Sequence, residues 1–200
     1  MSIQAVIFDI GGVLIRTEDL EPRHKWERRF GLPDWGLAKI VFDNPAAIEA
    51  TRGRAGVDAV WVEVARHLSL TSAEVAELRE DFWSGDRLDI GLLNYIRTLK
   101  PRYKTGLLSN AWTGAREYHR PWFNETVFDE MVFSCEEEAG KPAPEIYRRA
   151  LTRLKVAPEE VVFVDDFIEN IEAARALGMA GVHFKKGVEV RAELEKLGIR

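Results

Sequence analysis

Apolar positions along the chain follow two rhythms that take turns. Short, almost unbroken aliphatic and β-branched runs occupy 3–8, 105–108, 131–133, 161–164 and 181–184, each bounded by glycine or polar residues. Runs of this length without polar alternation predict strands buried on both faces, the habit of parallel sheets. Between and after them apolar residues return at helical spacing: Ile146, Ala150 and Leu154; Ile171, Ala174 and Leu177; Val190, Leu194 and Leu197. Strand alternating with helix predicts an α/β sheet with helices on both faces.

The alternation lapses over 16–86, where helical patterns occur and no strand is predicted. Val57, Val60, Trp61, Val64 and Leu68 form a one-sided stripe, and Thr71 with Glu74 makes a capping box ahead of Val75, Leu78 and Phe82. Asp89 is placed to cap a further helix carrying Ile90, Leu93, Ile96 and Leu99. The organisation expected is a core domain over 1–15 and 87–200, interrupted by a small all-helical unit over 16–86.

Composition narrows the function classes. The 200 residues carry 28 Lys and Arg against 33 Asp and Glu, a net charge of −5, which argues against an electrostatically bound nucleic acid. No apolar run approaches the roughly 18 residues of a membrane span. Cys135 is the single cysteine, so no intrachain disulfide forms, and a reducing cytoplasm is the expected location. No residue argues for a particular oligomeric state.

The chemistry-bearing residues sit where predicted strands end. Asp9 closes the first run and is followed by Gly11-Gly12, which puts a carboxylate on a tight turn at the ligand-binding edge of an open α/β sheet; turn capping is its other reading. Asp165-Asp166 end the fourth run. N-capping accounts for one of those carboxylates and not for both, because adjacent acids repel unless something compensates. If Asp9 lies on a neighbouring strand, three carboxylates converge, and a hard cation such as Mg²⁺ is their natural counter-charge. Ser109-Asn110 end another run, and Lys141 precedes the helix started by Pro144. A hydroxyl and an ammonium there suit phosphate oxygens, although both residue types are commonplace at such positions.

Taken in order, Phe8-Asp9-Ile10-Gly11-Gly12-Val13-Leu14, Leu108-Ser109-Asn110, Lys141 to Tyr147, and Val164-Asp165-Asp166 with Asn170 and Ala174 to Gly178 resemble the four motifs of the haloacid dehalogenase (HAD) superfamily, in its phosphatase-type branch with a helical cap. The resemblance implies a HAD-like Rossmannoid sheet with a cap inserted after the first strand. It implies that Asp9 is the nucleophile, forming an aspartyl-phosphate. It further implies that Asp9, the Gly11 carbonyl and Asp166 hold Mg²⁺, with Asp165 and Asn170 supporting, and that Ser109, the Asn110 backbone and Lys141 hold the transferring oxygens of a small phosphorylated substrate.

One departure stands out, because most family phosphatases carry an acid/base aspartate where this chain has Gly11. A similar aspartate-x-glycine motif occurs in bacterial glucose-1-phosphate phosphatases, which points to activated leaving groups such as sugar 1-phosphates or acyl phosphates. A non-catalytic binding protein is the alternative that Gly11 leaves open, and a metal-free haloacid dehalogenase the one that Asp165-Asp166 weighs against. Arg52 and Arg54 are expected either to reach the substrate from the helical unit or to form a solvated basic turn, with Trp112 lining the pocket or packing. Trp35, Trp61 and Trp83 are expected in the core of that unit, and His24 and His119 on the surface without ligating roles.

Overall fold

The computed structural model describes every residue except Met1 and Lys186. Seven strands are described: β1 (Ala5–Phe8), β2 (Ile15–Thr17), β3 (Asp86–Leu88), β4 (Lys104–Ser109), β5 (Glu130–Phe133), β6 (Val161–Asp165) and β7 (Ala180–His183). Five of them form one sheet in the order β5-β4-β1-β6-β7, and every pairing is parallel. The five predicted strands are these five, to within two residues at each end.

Alternate side chains of β1 supply opposite cores, as the two-residue period of a strand requires. Val6 and Phe8 join Leu93, Ile96 and Leu107 on one face, while Ala5 and Ile7 join Ile146, Ala150 and Phe163 on the other. Every residue of β1 is at most 1% exposed, so each of its larger side chains contributes about 1.5–3 kcal/mol through burial. The covering helices include α6 (Ile90–Leu99) on the first face, and α9 (Pro144–Leu154) and α10 (Ile168–Ala176) on the second, with the short α7 (Ala115–His119) after β4 and α8 (Ser134–Glu137) after β5. Asp89 caps α6 as predicted, accepting from the Leu92 N–H at 2.8 Å.

Between β2 and β3 lie α1 (Glu21–Phe30), α2 (Gly36–Phe42), α3 (Pro45–Thr51), α4 (Val57–Leu68) and α5 (Ser72–Ser84). Of these, α1, α2, α4 and α5 share an apolar cluster built on Trp26, Leu37, Val41, Trp61, Val64, Leu78 and Phe82, while α3 packs Ala47 and Ala50 against Val60 of α4. The predicted capping box of α5 is present. Three expectations need correcting. The stretch 16–86 does contain strand, because β2 and β3 pair antiparallel from Ile15↔Leu88 to Thr17↔Asp86; arms of three residues carry no readable apolar run and are specified by pairing, with Thr17 donating to Asp86 at 2.6 Å. Of the three tryptophans only Trp61 is core, at 3% exposed, against 57% for Trp35 and 39% for Trp83. His119 is half-buried beside Phe123, and burial pushes its imidazole down to about 4.

Candidate active site

The register of the sheet decides which residues meet. Phe8 pairs with Leu107 on one side and Val164 on the other, so the residues just beyond these positions leave the sheet at one edge. Asp9, Ser109 and Asp165 are thereby gathered, each no more than 6% exposed. Backbone bonds lock the first of them: the Asp9 N–H donates to the Val164 carbonyl at 2.9 Å, and the Asp9 carboxylate accepts from the Ile10 N–H at 2.7 Å.

Lys141 arrives from the loop before α9 and places its Nζ 2.8 Å from Asp9 Oδ1 and 2.6 Å from Asp165 Oδ2. An ammonium buried in this way is tolerable only because two carboxylates face it. Burial works against its charge, yet Asp9 and Asp165 outweigh that and raise its pKa. Burial pushes Asp9 up to about 7, with Lys141 pulling down and Asp165 pushing up further. Asp165 is saturated by protein donors: Phe167 N–H at 2.8 Å, Asn170 Nδ2 at 3.0 and 3.1 Å, and Lys141. It therefore orients Lys141 and the turn into α10. Asp166 is not the side-chain cap of α10.

Asp166 is the contrasting case. Its Oδ1 is buried with no hydrogen-bond partner, and burial together with Asp165 pushes its carboxyl up to about 6. Ligand oxygens of Asp9, Asp165 and Asp166 all lie within 4.8 Å of one another. An all-oxygen set whose burial and mutual repulsion raise two of its own pKa values is short of positive charge, which a hard divalent cation would supply.

Gly12 makes this crowding possible. At φ +71° its absent Cβ would sit 2.0 Å from Asp166 Oδ2, so no other residue lets the Asp166 side chain rest there. Gly12→Ala is expected to displace that carboxylate and lower metal affinity by at least about tenfold, the scale of damage to groups that orient metal ligands. Isothermal titration of the stripped protein with divalent cation checks this, and unchanged affinity would show that Asp166 is not held for an ion.

The remaining predicted residues divide. Asn110 clasps the Lys141 backbone with its side chain, donating to its carbonyl and accepting from its N–H, both at 2.8 Å. Asn170 braces Asp165. Arg52 pairs with Glu49 at 3.1 Å and Arg54 with Glu138 at 3.7 Å, all four side chains well exposed; the structure does not bring either arginine to the carboxylates. Gly53 between them lies against the Cys135 backbone, where a Cβ would meet its carbonyl at 2.1 Å. Trp112 packs on Phe42 and Trp83 with ring centroids 5.6 and 6.3 Å away, so the wall that the helices present beside β4 is aromatic.

Sequence reasoning missed Ser134 and Tyr147 as supports. Ser134 Oγ accepts from the Ala111 N–H at 2.9 Å and steadies the chain after Ser109. Tyr147 donates to the Asn170 carbonyl at 3.0 Å. Tyr147 lies in the same motif as Lys141, which was its only visible signal.

A buried carboxylate, an ammonium fixed against it and a second acidic pair thus meet at one edge of a parallel sheet. Residues 3–178 match the family model of haloacid dehalogenase-like hydrolases, and the chain belongs to that family. It is 31% identical to a phosphorylated carbohydrates phosphatase of Thermotoga maritima, over 90% of this chain and 84% of that one. It is 26% identical to a sesquiterpene phosphatase of Aspergillus oryzae, over 98% and 97%. Against the bifunctional epoxide hydrolase 2 of Rattus norvegicus the identity is 41% over 98% of this chain, which spans 39% of that protein. Among solved structures, a HAD family enzyme of Bacteroides thetaiotaomicron in complex with magnesium and inorganic phosphate superposes with a TM-score of 0.75 at 20% identity, covering 94% of this chain and 97% of that one. The protein is thus a HAD-like hydrolase with phosphatase relatives. No helix among the described residues is long and apolar enough to cross a membrane.

Proposed function

We propose that the chain is a Mg²⁺-dependent phosphomonoester hydrolase that acts through an aspartyl-phosphate on a small phosphorylated metabolite with an activated leaving group, such as a sugar 1-phosphate or an acyl phosphate. The observation that carries this reading is the buried Asp9–Lys141–Asp165 group beside the unpartnered Asp166 oxygen. Two phosphatases among the relatives support it.

In the first half-reaction an Asp9 carboxylate oxygen attacks phosphorus while the bond to the leaving oxygen breaks, its electron pair departing with that oxygen. Water then attacks phosphorus of the aspartyl-phosphate, releasing phosphate and restoring the Asp9 carboxylate. Lys141 has three N–H donors, so it can keep Asp165 while turning one toward a transferring oxygen. Ser109 offers a hydroxyl at the neighbouring strand end. The Asp9 and Asp166 carboxylates and the Gly11 carbonyl would hold Mg²⁺, with Asp165 and Asn170 behind them; when bound, the ion offsets repulsion between carboxylate and phosphate. The helices between β2 and β3 serve as the cap over this edge, and the single cysteine accords with a reducing cytoplasm.

Phosphate release from a panel of phosphorylated metabolites, with p-nitrophenyl phosphate as a good leaving group, tests the proposal with Mg²⁺ and with EDTA. Activity should require Mg²⁺ and favour activated leaving groups. Equal turnover of simple alkyl phosphates would sink the leaving-group assignment; EDTA-insensitive halide release from haloacids would sink the phosphatase reading. No turnover with measurable phosphate binding would favour a non-catalytic relative, the reading that Gly11 supports.

Gly11 itself yields a further expected result. A Cβ built there meets nothing within 4 Å, so a side chain has room. Gly11→Asp is expected to raise kcat/KM on unactivated alkyl phosphates by about 10²-fold, the lower range of general acid–base catalysis, with a smaller effect on p-nitrophenyl phosphate. A uniform change across the panel would mean that leaving-group protonation is not what this position controls.

A further inference from the structure

A second group of ligand-type side chains lies outside the sheet edge, at the junction of α1 and α2. His24, Glu27 and Asp34 offer one ligand atom each, all within 4.8 Å of one another. His24 and Glu27 are three apart on α1 and so share a face, while Asp34 comes from the turn that follows. The spacing had not suggested ligation, since Asp34 joins them only once the chain turns back.

Glu27 is the informative member. It is 3% exposed, far below the norm for glutamate. Its Oε1 accepts from the Leu37 N–H at 3.2 Å, near the start of α2. Its Oε2 is buried and has no hydrogen-bond partner. A buried carboxylate oxygen left bare is unfavourable, and something of opposite charge is called for. The neighbouring cation Arg23 spends donors elsewhere, on the Phe82 carbonyl at 2.7 Å and Asp86 at 2.9 Å. His24 Nε2 stands 3.8 Å from Oε2, too far for a hydrogen bond.

That separation suits an ion between them. Tetrahedral zinc bonds of about 2.0–2.1 Å to imidazole and about 2.0–2.2 Å to carboxylate hold their ligand atoms about 3.4 Å apart, so the 3.8 Å gap closes to that spacing by a few tenths of an ångström. The exposed Asp34, whose ligand atom lies within 4.8 Å of the other two, closes the third side and leaves an entry path from solvent. The Leu37 N–H on Oε1 is the kind of outer hydrogen bond that orients a ligating carboxylate.

We propose that His24, Glu27 and Asp34 form a binding site for a divalent transition-metal ion of the zinc type, separate from the carboxylates at the sheet edge. One imidazole and two carboxylates match zinc's three-protein-ligand sites, with water in the remaining position; the nitrogen donor selects against Mg²⁺. The ion would clip α1 to the turn leading into α2. This inference does not rest on the phosphatase reading.

The test is zinc titration of the untagged, chelator-stripped chain with Mg²⁺ in excess, followed by equilibrium dialysis and thermal melting. One saturable zinc per chain and a higher Tm on loading are expected. Asp34→Asn and His24→Gln should each weaken zinc binding by at least about tenfold, while His67→Gln, at an exposed histidine on α4, leaves it intact. Asp34→Asn changes an exposed residue, so its loss of binding would not reflect misfolding. Electron paramagnetic resonance of the copper-loaded chain should show nitrogen coupling that His24→Gln removes. Absence of saturable zinc binding, or binding unaltered in both ligand variants, would overturn the proposal and leave Glu27 as a fastening for α2.

Discussion

Asp9→Asn is expected to abolish phosphate release, lowering kcat by about 10⁴-fold or more, because an amide cannot form the aspartyl-phosphate on which both half-reactions depend. The same substitution should leave the fold intact, and its effect on stability has a defined sign. Burial, with Asp165 adding to it, raises the Asp9 carboxyl from 3.8 to about 7. A raised acid contributes stability that is fully present below the unfolded pKa and lost as pH climbs through the folded one. The metal-free protein should therefore lose stability between about pH 4 and pH 7, and Asp166, raised to about 6, adds to that loss. Asn at position 9 carries no charge to bury. Above pH 7 the metal-free variant should accordingly melt no lower than the parent, and divalent cation should stabilise the parent more than the variant. Stopped phosphate assays and melting curves at pH 5 and pH 8 check both halves. Residual turnover within tenfold of the parent would remove Asp9 from the chemistry; a variant that melts far lower at pH 8 would mean that Asp9 is held chiefly as a partner of Lys141.

Lys141→Met is expected to be the most destabilising single change at the site. It removes an ammonium bonded to Asp9 and Asp165 at 2.8 and 2.6 Å and leaves two buried carboxylates facing each other. Breaking one side of such a buried group costs about 3–5 kcal/mol, or a Tm lower by about 10 °C in a chain of this length. The deficit should shrink toward pH 5, where Asp9 is protonated and needs no counter-charge, and grow toward pH 8. Lys141's own titration adds no slope in this window: its pKa is raised, so its stabilisation is complete below the unfolded value and fades only in strong alkali. Urea unfolding at the two pH values reads the difference. A deficit independent of pH would mean that packing of the lysine stem, and not its charge, is what matters. Activity should fall as well, since no cation then meets the transferring oxygens, and Lys141→Arg should rescue poorly because a planar fork does not fit where a compact ammonium touches two separate carboxylates.

Much of this architecture is written locally. Buried parallel strands need nearly continuous apolar runs, so β1, β4, β5, β6 and β7 could be read from 3–8, 105–108, 131–133, 161–164 and 181–184. The capping box at Thr71 and the cap at Asp89 are likewise local chemistry, because their partners lie three residues away. That Asp9, Ser109 and Asp165-Asp166 meet at one sheet edge was legible for the same reason: each ends a strand, and parallel strands end on one side. The four motifs in order carried the family.

What could not be read is what depends on residues distant in sequence. The β2–β3 ribbon has no apolar signature and exists only because its two arms, some 70 residues apart, pair. Arg52 and Arg54 were placed by charge and loop position, and only the fold brings the sequence-distant Glu138 to Arg54. Trp35 and Trp83 were assigned to a core by hydrophobicity alone, although the face that each shows is set by neighbouring helices. The division of labour between adjacent aspartates is the clearest instance. Asp165 and Asp166 are chemically identical, and only the approach of Lys141, Asn170 and Gly12 saturates the first while leaving the second bare. Local patterns decide elements because hydrogen bonds and burial periodicity act over a few residues. Charge state and ligand-holding capacity arise from desolvation and from partners across the fold, and those appear only when the strands, the Lys141 loop and the glycine turn have been brought together.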